Sequence, residues 1–195
     1  LSTSSTPTGA GSLTLTAGAG VTAVTLSSGS TAYQLDCPRA VSVTQVAAGT
    51  TRNFTVTGYD FYGQPMTEVI ASSASQSTAV NGKKAFYQIS GITVSGGTVV
   101  AITIGTTDIL GLPVRVTNAG YLARVGYNNT LADNAGTAVA ADTATATTTT
   151  GDVRGTVDPS SACDGAKRLV VAILLTAIQC GPNSTRAGAL GVTQA

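Results

Sequence analysis

Short segments rich in Thr, Val and Ile recur along this chain from Leu13 onward at intervals of roughly ten residues, and Gly, Ser, Asn or Pro separate them. The branched β-carbons of Thr, Val and Ile favour an extended backbone, whereas the separating residues favour turns. The 33 Thr, 17 Ser and 23 Gly of the chain supply both classes. This spacing is typical of a β-sandwich or β-barrel, so we expect an all-β fold with little helix.

Alternation of apolar and polar side chains supports the strand prediction. Phe54 and Val56 alternate with two threonines, and residues 100–104 repeat the pattern. Because successive side chains of a strand point to opposite faces, each segment has one buried face. Between residues 87–89 and 92–94 the apolar positions shift by one, which predicts a β-bulge at Gly91.

Two later segments are predicted to be strands with distinct positions in a sheet. Residues 112–116 alternate, but Pro113 cannot donate a ladder hydrogen bond, so this strand should be an edge or begin there. Residues 169–177 are apolar on both faces and should form a central strand, covered on one side by the core and on the other by a second layer or a partner. A helix is the alternative for that segment.

The length of 195 residues fits a single domain with its own core. Residues 1–12 are small and polar, and we expect an extended N-terminal arm there, followed by one domain over residues 13–195. Residues 128–150 should form a long surface excursion with one weak strand at 138–142. Loops of that length are usually functional or mobile, and here we expect contact rather than catalysis.

The absence of His and the presence of only nine carboxylates leave little room for catalytic chemistry. Asp60 with Glu68, or Asp152 with Asp158 or Asp164, are the carboxylate pairs that a glycosidase would need. Asp60 heads a turn-like segment, so a structural role is the preferred interpretation. We expect no enzyme activity, no catalytic residue, no cofactor and no metal site.

The charge pattern gives no basic patch. The net charge is +1, and the adjacent cation pairs, Lys83 with Lys84 and Lys167 with Arg168, are interpreted as solvated strand edges. Nucleic acid is therefore not an expected partner. The longest apolar run is far shorter than the about 20 residues that span a bilayer, so no membrane contact is expected, and residues 1–20 lack the features of a signal peptide.

Three cysteines, Cys37, Cys163 and Cys180, cannot all pair within one chain. Reduced, partly buried thiols are the preferred interpretation, as is usual in a reducing cytoplasm. A disulfide between Cys163 and Cys180 that closes the last hairpin is the main alternative.

Three aromatic residues, Tyr59, Phe61 and Tyr62, cluster at a predicted hairpin tip. Exposed rings at such a tip could stack on a sugar or anchor a protein interface. Alternatively, alternate members could fold back into the core.

Five stretches of the chain carry distinctive strand and turn patterns: residues 55–70, 84–94, 105–113, 151–157 and 165–171. These patterns resemble those of structural proteins of short-tailed and related bacteriophages. The resemblance implies that the domain after the arm is a jelly-roll-like β-sandwich. It also implies that the chain is a capsid cement or decoration protein on the outside of an icosahedral phage head. It implies the major capsid protein and further copies of this chain, as dimer or trimer, as partners, and assembly in the cytoplasm of the bacterial host.

Contacts in such a lattice would come from the arm, the aromatic tip, the Pro-marked edge and the last apolar strand. The predicted interface residues are Leu1, Pro7, Tyr59, Phe61, Tyr62, Pro113, Val171, Ile173 and Leu175. The alternative function is a carbohydrate- or receptor-binding β-sandwich module of a virion spike or tail, with the three aromatic rings of the tip as its stacking platform.

Overall fold

A computed structural model describes residues 3–97, 100–127, 136–166 and 168–174. Within these ranges the fold is all-β, and the only helical element is a single 3-10 turn at Ala119–Tyr121. The predicted fold class is therefore confirmed: an antiparallel sheet curls in the manner of a β-sandwich. No helix of the described part is long and apolar enough to cross a membrane.

Backbone contacts divide the chain into two units, where the sequence predicts one domain after the arm. The first unit contains Leu1–Thr107 and Thr147–Thr150, and the second contains Asp108–Ala146 and Gly151–Ala195.

The first unit is built from a sheet in which strands distant in sequence are neighbours. Its strands are β1 (Thr3–Ser5), β2 (Gly11–Ser12), β3 (Val21–Thr25), β4 (Thr31–Gln45), β5 (Asn53–Tyr59), β6 (Pro65–Ala71), β7 (Ala79–Asn81), β8 (Phe86–Val94) and β9 (Ile102–Gly111), and the last residues of β9 belong to the second unit. The main strand order is β9-β4-β8-β5-β6, and β3 and β7 also pair with β4.

Alternation along the strands builds the core of this unit, as predicted. Phe54 and Val56 are fully buried, and so are Ile102 and Ile104 of β9. The threonines between them are more accessible to solvent. Side chains from β4, β5, β8 and β9 meet in one apolar cluster, whose largest members include Val41, Val43, Phe54, Phe86, Ile89, Ile92, Ile102 and Ile104.

The predicted bulge in β8 is confirmed. Thr57 of β5 lies opposite Gly91, but the next residue, Gly58, lies opposite Ile89, so Ser90 is skipped in the register. Ile89 and Ile92 are both buried, although an uninterrupted strand would point them to opposite faces. The extra residue of the bulge keeps both in the core.

The N-terminal arm is extended, and it pairs with strands of its own chain. β1 is antiparallel to β9, with Thr3 opposite Ile104, and β2 is antiparallel to β8. The backbone between them passes close to Gly97, where a Cβ atom would lie 2.6 Å from the carbonyl oxygen of Thr8. Such close approach requires glycine at this position.

The second unit contains two antiparallel pairings besides the end of β9. β11 (Thr137–Ala140) pairs with β12 (Gly155–Asp158), and β12 also pairs with Leu110 and Gly111 of β9. β10 (Leu122–Tyr127) pairs with β13 (Leu169–Ile173) in a separate two-stranded sheet. β11 confirms the weak strand predicted within the long excursion.

Two strand predictions in this unit need correction. Residues 112–116 form no strand, because the backbone N–H groups of Leu112 and Val116 bond to the carbonyls of Gly155 and Arg154 outside a regular ladder. Of the strand predicted over residues 169–177, residues 169–173 form a strand, and residues 175–177 lie outside the described residues. Within the described chain this strand pairs only with β10 and is half-buried rather than central. The apolar run alone did not reveal which strands would be its neighbours.

Candidate functional site: an exposed aromatic hairpin tip

The hairpin of β5 and β6 ends in a turn that Asp60 holds in one conformation. One carboxylate oxygen of Asp60 accepts hydrogen bonds from the backbone N–H groups of Tyr62 and Gln64, both at 2.8 Å. The backbone N–H of Asp60 also donates to the carbonyl of Gln64. Gly63 has a φ of 77°, which glycine adopts without strain. The structural role predicted for Asp60 is thus observed.

This turn presents two aromatic side chains to solvent. Phe61 is 52% exposed and Tyr62 is 48% exposed, among the most exposed large apolar side chains described. Their rings contact edge to face, with centroids 5.4 Å apart. Phe61 makes a second such contact, at 5.2 Å, with Tyr87 of β8. Phe61 and Tyr62 therefore do not fold back into the core, whereas Tyr59 is half-buried.

Two glutamine side chains continue the tip onto the sheet. Gln88 of β8 lies opposite both Tyr59 of β5 and Gln34 of β4. The Nε2 group of Gln88 donates to Oε1 of Gln34, and Nε2 of Gln34 donates to the hydroxyl oxygen of Tyr87, both at 3.1 Å. The result is an aromatic–amide patch, defined as Gln34, Phe61, Tyr62, Tyr87 and Gln88.

Sequence reasoning found only the tip of this patch. Gln34 lies 53 residues from Tyr87 and 54 from Gln88, so only strand pairing brings them together. Neither the spacing nor the local pattern of the sequence marks the glutamines. The signal was limited to the three neighbouring aromatic residues.

Asp60 and Glu68 do not form a carboxylate pair. Glu68 lies opposite Val56 in the hairpin, which places its row roughly 13 Å along the strand from Asp60. Its carboxylate is buried and accepts from the backbone N–H groups of Lys83 and Lys84, at 2.5 and 3.3 Å. Burial raises the pKa of Glu68, and the two backbone hydrogen bonds oppose this shift. The side chain therefore organises the loop before β8.

The prediction that Lys83 and Lys84 form a solvated edge is wrong for Lys84. This side chain is 1% exposed, and its ammonium group donates to the carbonyl oxygens of Thr67, at 2.8 Å, and Thr147. Nearby, the N–H of Val69 donates to the carbonyl of Thr148. Thr147–Thr150 thus cover part of the outer edge of β6, and we name this segment the threonine strap.

The remaining predicted interface residues have mixed positions. Pro7 in the arm is half-buried, and Pro113 is exposed in the irregular segment after β9. Val171 and Ile173 are half-buried in β13. Leu1 and Leu175 lie outside the described residues, as does Lys167 of the second cation pair, while Arg168 is exposed.

The second unit holds a small cluster around Tyr127. The hydroxyl of Tyr127 donates to the carbonyl of Ser161 at 2.9 Å and lies 3.5 Å from Sγ of Cys163. Burial raises the pKa of Tyr127, and the contact with Cys163 raises it further by a smaller amount. Cys37 and Cys163 are half-buried thiols, as preferred from the sequence, and Cys180 lies outside the described residues.

In the part of the chain that the structure describes, no three His, Cys, Asp or Glu side chains converge on a point where they could hold a metal ion. The aromatic–amide patch is the candidate site because it exposes two aromatic rings beside amide and phenol groups, which suit binding through ring faces and neutral hydrogen bonds. Comparison of the chain with protein-family models, with curated proteins and with solved structures found no match.

Proposed function

We propose that this chain is a non-enzymatic virion structural protein that decorates the outside of an icosahedral phage head and cements it by bridging major capsid subunits. The first support is the resemblance of its strand and turn segments to structural proteins of short-tailed bacteriophages. Three of these segments correspond to the hairpin of β5 and β6, to β8, and to the end of β9. A cement protein needs edges and contact surfaces of this kind, because its work is to add buried area between subunits.

The observation that carries the proposal is the position of the arm. Among the described strands, β1 pairs only with β9, so its other edge offers backbone donors and acceptors to a further strand. Strand addition at such an edge gives affinity through main-chain hydrogen bonds. A strand of the major capsid protein is the proposed partner for this edge.

Because many copies bind the same capsid lattice, each single contact can be weak and the protein can still stay bound. On a closed lattice, each further contact of an already bound copy forms at high effective concentration, so avidity can exceed single-site affinity by about 10²–10⁴. Self-association as a dimer or trimer would supply such contacts. The net charge of +1 provides little attraction for packaged DNA, which agrees with a position on the outer surface.

The test mixes the purified protein with phage heads that lack it. We expect cryo-electron microscopy to show ordered lattice occupancy and heated heads to release DNA at a higher temperature than undecorated heads. Removal of residues 1–12, or Gly97→Ala, which displaces the arm through the contact with Thr8, should lower occupancy. Val46→Ala, at a side chain 49% exposed in the same unit, is the matched control.

Two outcomes would reject the capsid role. The first is no binding to heads at all. The second is binding confined to the tail vertex, which would favour the spike or tail module instead. If both arm variants occupied the heads fully, the capsid role would stand, but the arm would be rejected as the surface that contacts the capsid.

A further inference from the structure

We infer that the aromatic–amide patch is a binding site for neutral saccharides. This inference does not depend on the capsid role, because it concerns the ligand of a surface on the first unit. It begins from the two rings at the hairpin tip, Phe61 and Tyr62, each about half exposed. Sugars pack their C–H faces on aromatic rings, and amphipathic rings are suited to a surface that is apolar on one side and wet on the other.

The tip is preorganised to present these rings. Asp60 accepts the N–H groups of Tyr62 and Gln64 and so fixes the turn before any ligand arrives. The contact between Phe61 and Tyr87 orients the first ring against the sheet. A fixed turn lowers the conformational entropy that is lost on binding. These features separate the tip from a mobile loop with incidental aromatic residues.

The direction of the hydrogen bonds leaves groups for a ligand. Gln88 donates to Gln34, and Gln34 donates to the hydroxyl oxygen of Tyr87. Since Tyr87 accepts this bond, its own hydroxyl hydrogen remains to be donated, and Oε1 of Gln88 remains to accept. Within the described residues neither atom has another partner. A donor and an acceptor beside exposed aromatic rings match the hydroxyl groups of a sugar.

Charge favours a neutral ligand over an anionic one. The hydrogen-bonding groups of the patch are two amides and two phenols, with no carboxylate, ammonium or guanidinium group among them. The only ionised side chain of the turn is Asp60, a carboxylate that would repel sulfated or sialylated sugars. Recognition of anionic glycans typically requires Arg or Lys, which offer charge-assisted hydrogen bonds. The patch contains neither residue.

The experiment measures binding of the full chain to maltotriose, cellotriose, mannotriose and sialyllactose by saturation-transfer NMR and calorimetry. We expect at least one neutral trisaccharide to bind with a Kd of about 1 mM, as a shallow site with few contacts allows. Phe61→Ala and Tyr62→Ala should each weaken binding about tenfold. Tyr87→Phe retains the ring, removes the hydroxyl and should weaken binding about threefold. These effects correspond to the loss of a stacking contact and of one hydrogen bond.

The matched control is Val139→Ala, which truncates a side chain 55% exposed in the second unit and should leave binding unchanged. Circular dichroism and thermal unfolding verify that every variant is folded. The inference is wrong if no neutral sugar binds at about 10 mM, roughly ten times the expected Kd. It is also wrong if sialyllactose binds best, or if Phe61→Ala binds as the native chain does.

Capsid binding by the same variants separates the two proposals. Loss of head occupancy in Phe61→Ala and Tyr62→Ala, without any sugar affinity in the native chain, would make the patch a protein anchor. That result would overturn the saccharide site and support the capsid role. Sugar binding by the native chain without binding to phage heads would support the saccharide site and reject the capsid role.

Discussion

At the scale of single residues, several positions have structural roles that follow from their immediate contacts. Gly58 shows this most simply, because a Cβ atom there would lie 2.0 Å from the carbonyl oxygen of Gln88. Only glycine allows β5 to approach β8 so closely beside the bulge. Glu68 is a second case, since its buried carboxylate bonds to two consecutive backbone N–H groups.

Glu68 should make stability depend on pH. Burial raises its pKa in the folded state above the ordinary value of 4.5, so the folded state binds a proton more readily than the unfolded state. The free energy of unfolding of the native chain should therefore rise relative to that of Glu68→Gln as the pH falls from 7 toward 4.5. Below that value the difference between the two free energies of unfolding should be constant. Urea unfolding of both proteins across this pH range measures the effect.

The opposite trend would be equally informative. A native chain that loses stability relative to Glu68→Gln on acidification would show that the hydrogen bonds from Lys83 and Lys84 outweigh burial. Glu68→Gln itself cannot titrate at this position, so it isolates the contribution of this carboxyl group from the other carboxylates.

At the scale of elements, the edge of β6 shows how a strand boundary is protected. Exposed edges invite pairing with other chains, and proteins commonly cover them. Here the threonine strap accepts the N–H of Val69, and Lys84 bonds the carbonyls of both Thr67 and Thr147. A Thr-rich stretch that looks like a plain surface loop is thus part of the sheet edge.

Lys84→Met should loosen this edge. Methionine fills a similar volume but cannot satisfy the two carbonyls, and leaving them without the ammonium group should cost about 1–3 kcal/mol. We also expect faster amide hydrogen exchange at Val69, whose partner is the carbonyl of Thr148. Lys83→Met is the control. The Lys83 side chain is exposed and donates to the strap carbonyl of Thr149 through a long, exposed hydrogen bond of 3.4 Å, so its loss should cost no more than about 0.5 kcal/mol.

Two results would contradict this role of Lys84. One is equal destabilisation by the two substitutions, which would indicate a general effect of charge. The other is unchanged exchange at Val69 in Lys84→Met, which would show that the strap holds without the ammonium group.

At the scale of the whole molecule, the order of strands controls how the chain can fold. In the first unit β4 lies between β9 and β8, and β8 lies between β4 and β5, so most neighbours are far apart in sequence. Such non-local pairing slows folding, because long loops must close before the contacts form. We expect the arm to join last, because β1 pairs with β9 across about half of the chain and this long loop must close first.

We therefore expect refolding on the scale of milliseconds to seconds, typical of all-β proteins with distant pairings. Stopped-flow dilution from urea, followed by tyrosine fluorescence, measures the rate. Removal of residues 1–12 should leave this rate unchanged if the arm joins after the sheet forms. Refolding within microseconds, or a strong slowing by the deletion, would contradict this order of events.

The sequence by itself determined the features that depend on neighbouring residues. Alternation predicted the buried faces at Phe54 and Ile102, the phase shift predicted the bulge beside Gly91, and turn chemistry predicted the role of Asp60. These follow from backbone geometry with a period of two residues and from short-range hydrogen bonds. Both act over a few positions and are readable in the chain.

Only the tertiary structure decided which distant segments meet. It buried Lys84 under the threonine strap and joined Gln34 to Tyr87 and Gln88. Among the described strands, it paired the apolar strand β13 with β10 alone. Period and propensity specify that a segment is a strand and which face is apolar, but not which strand lies beside it. Strand partners depend on the packing of the whole core, so the candidate site could be predicted only as far as its aromatic tip.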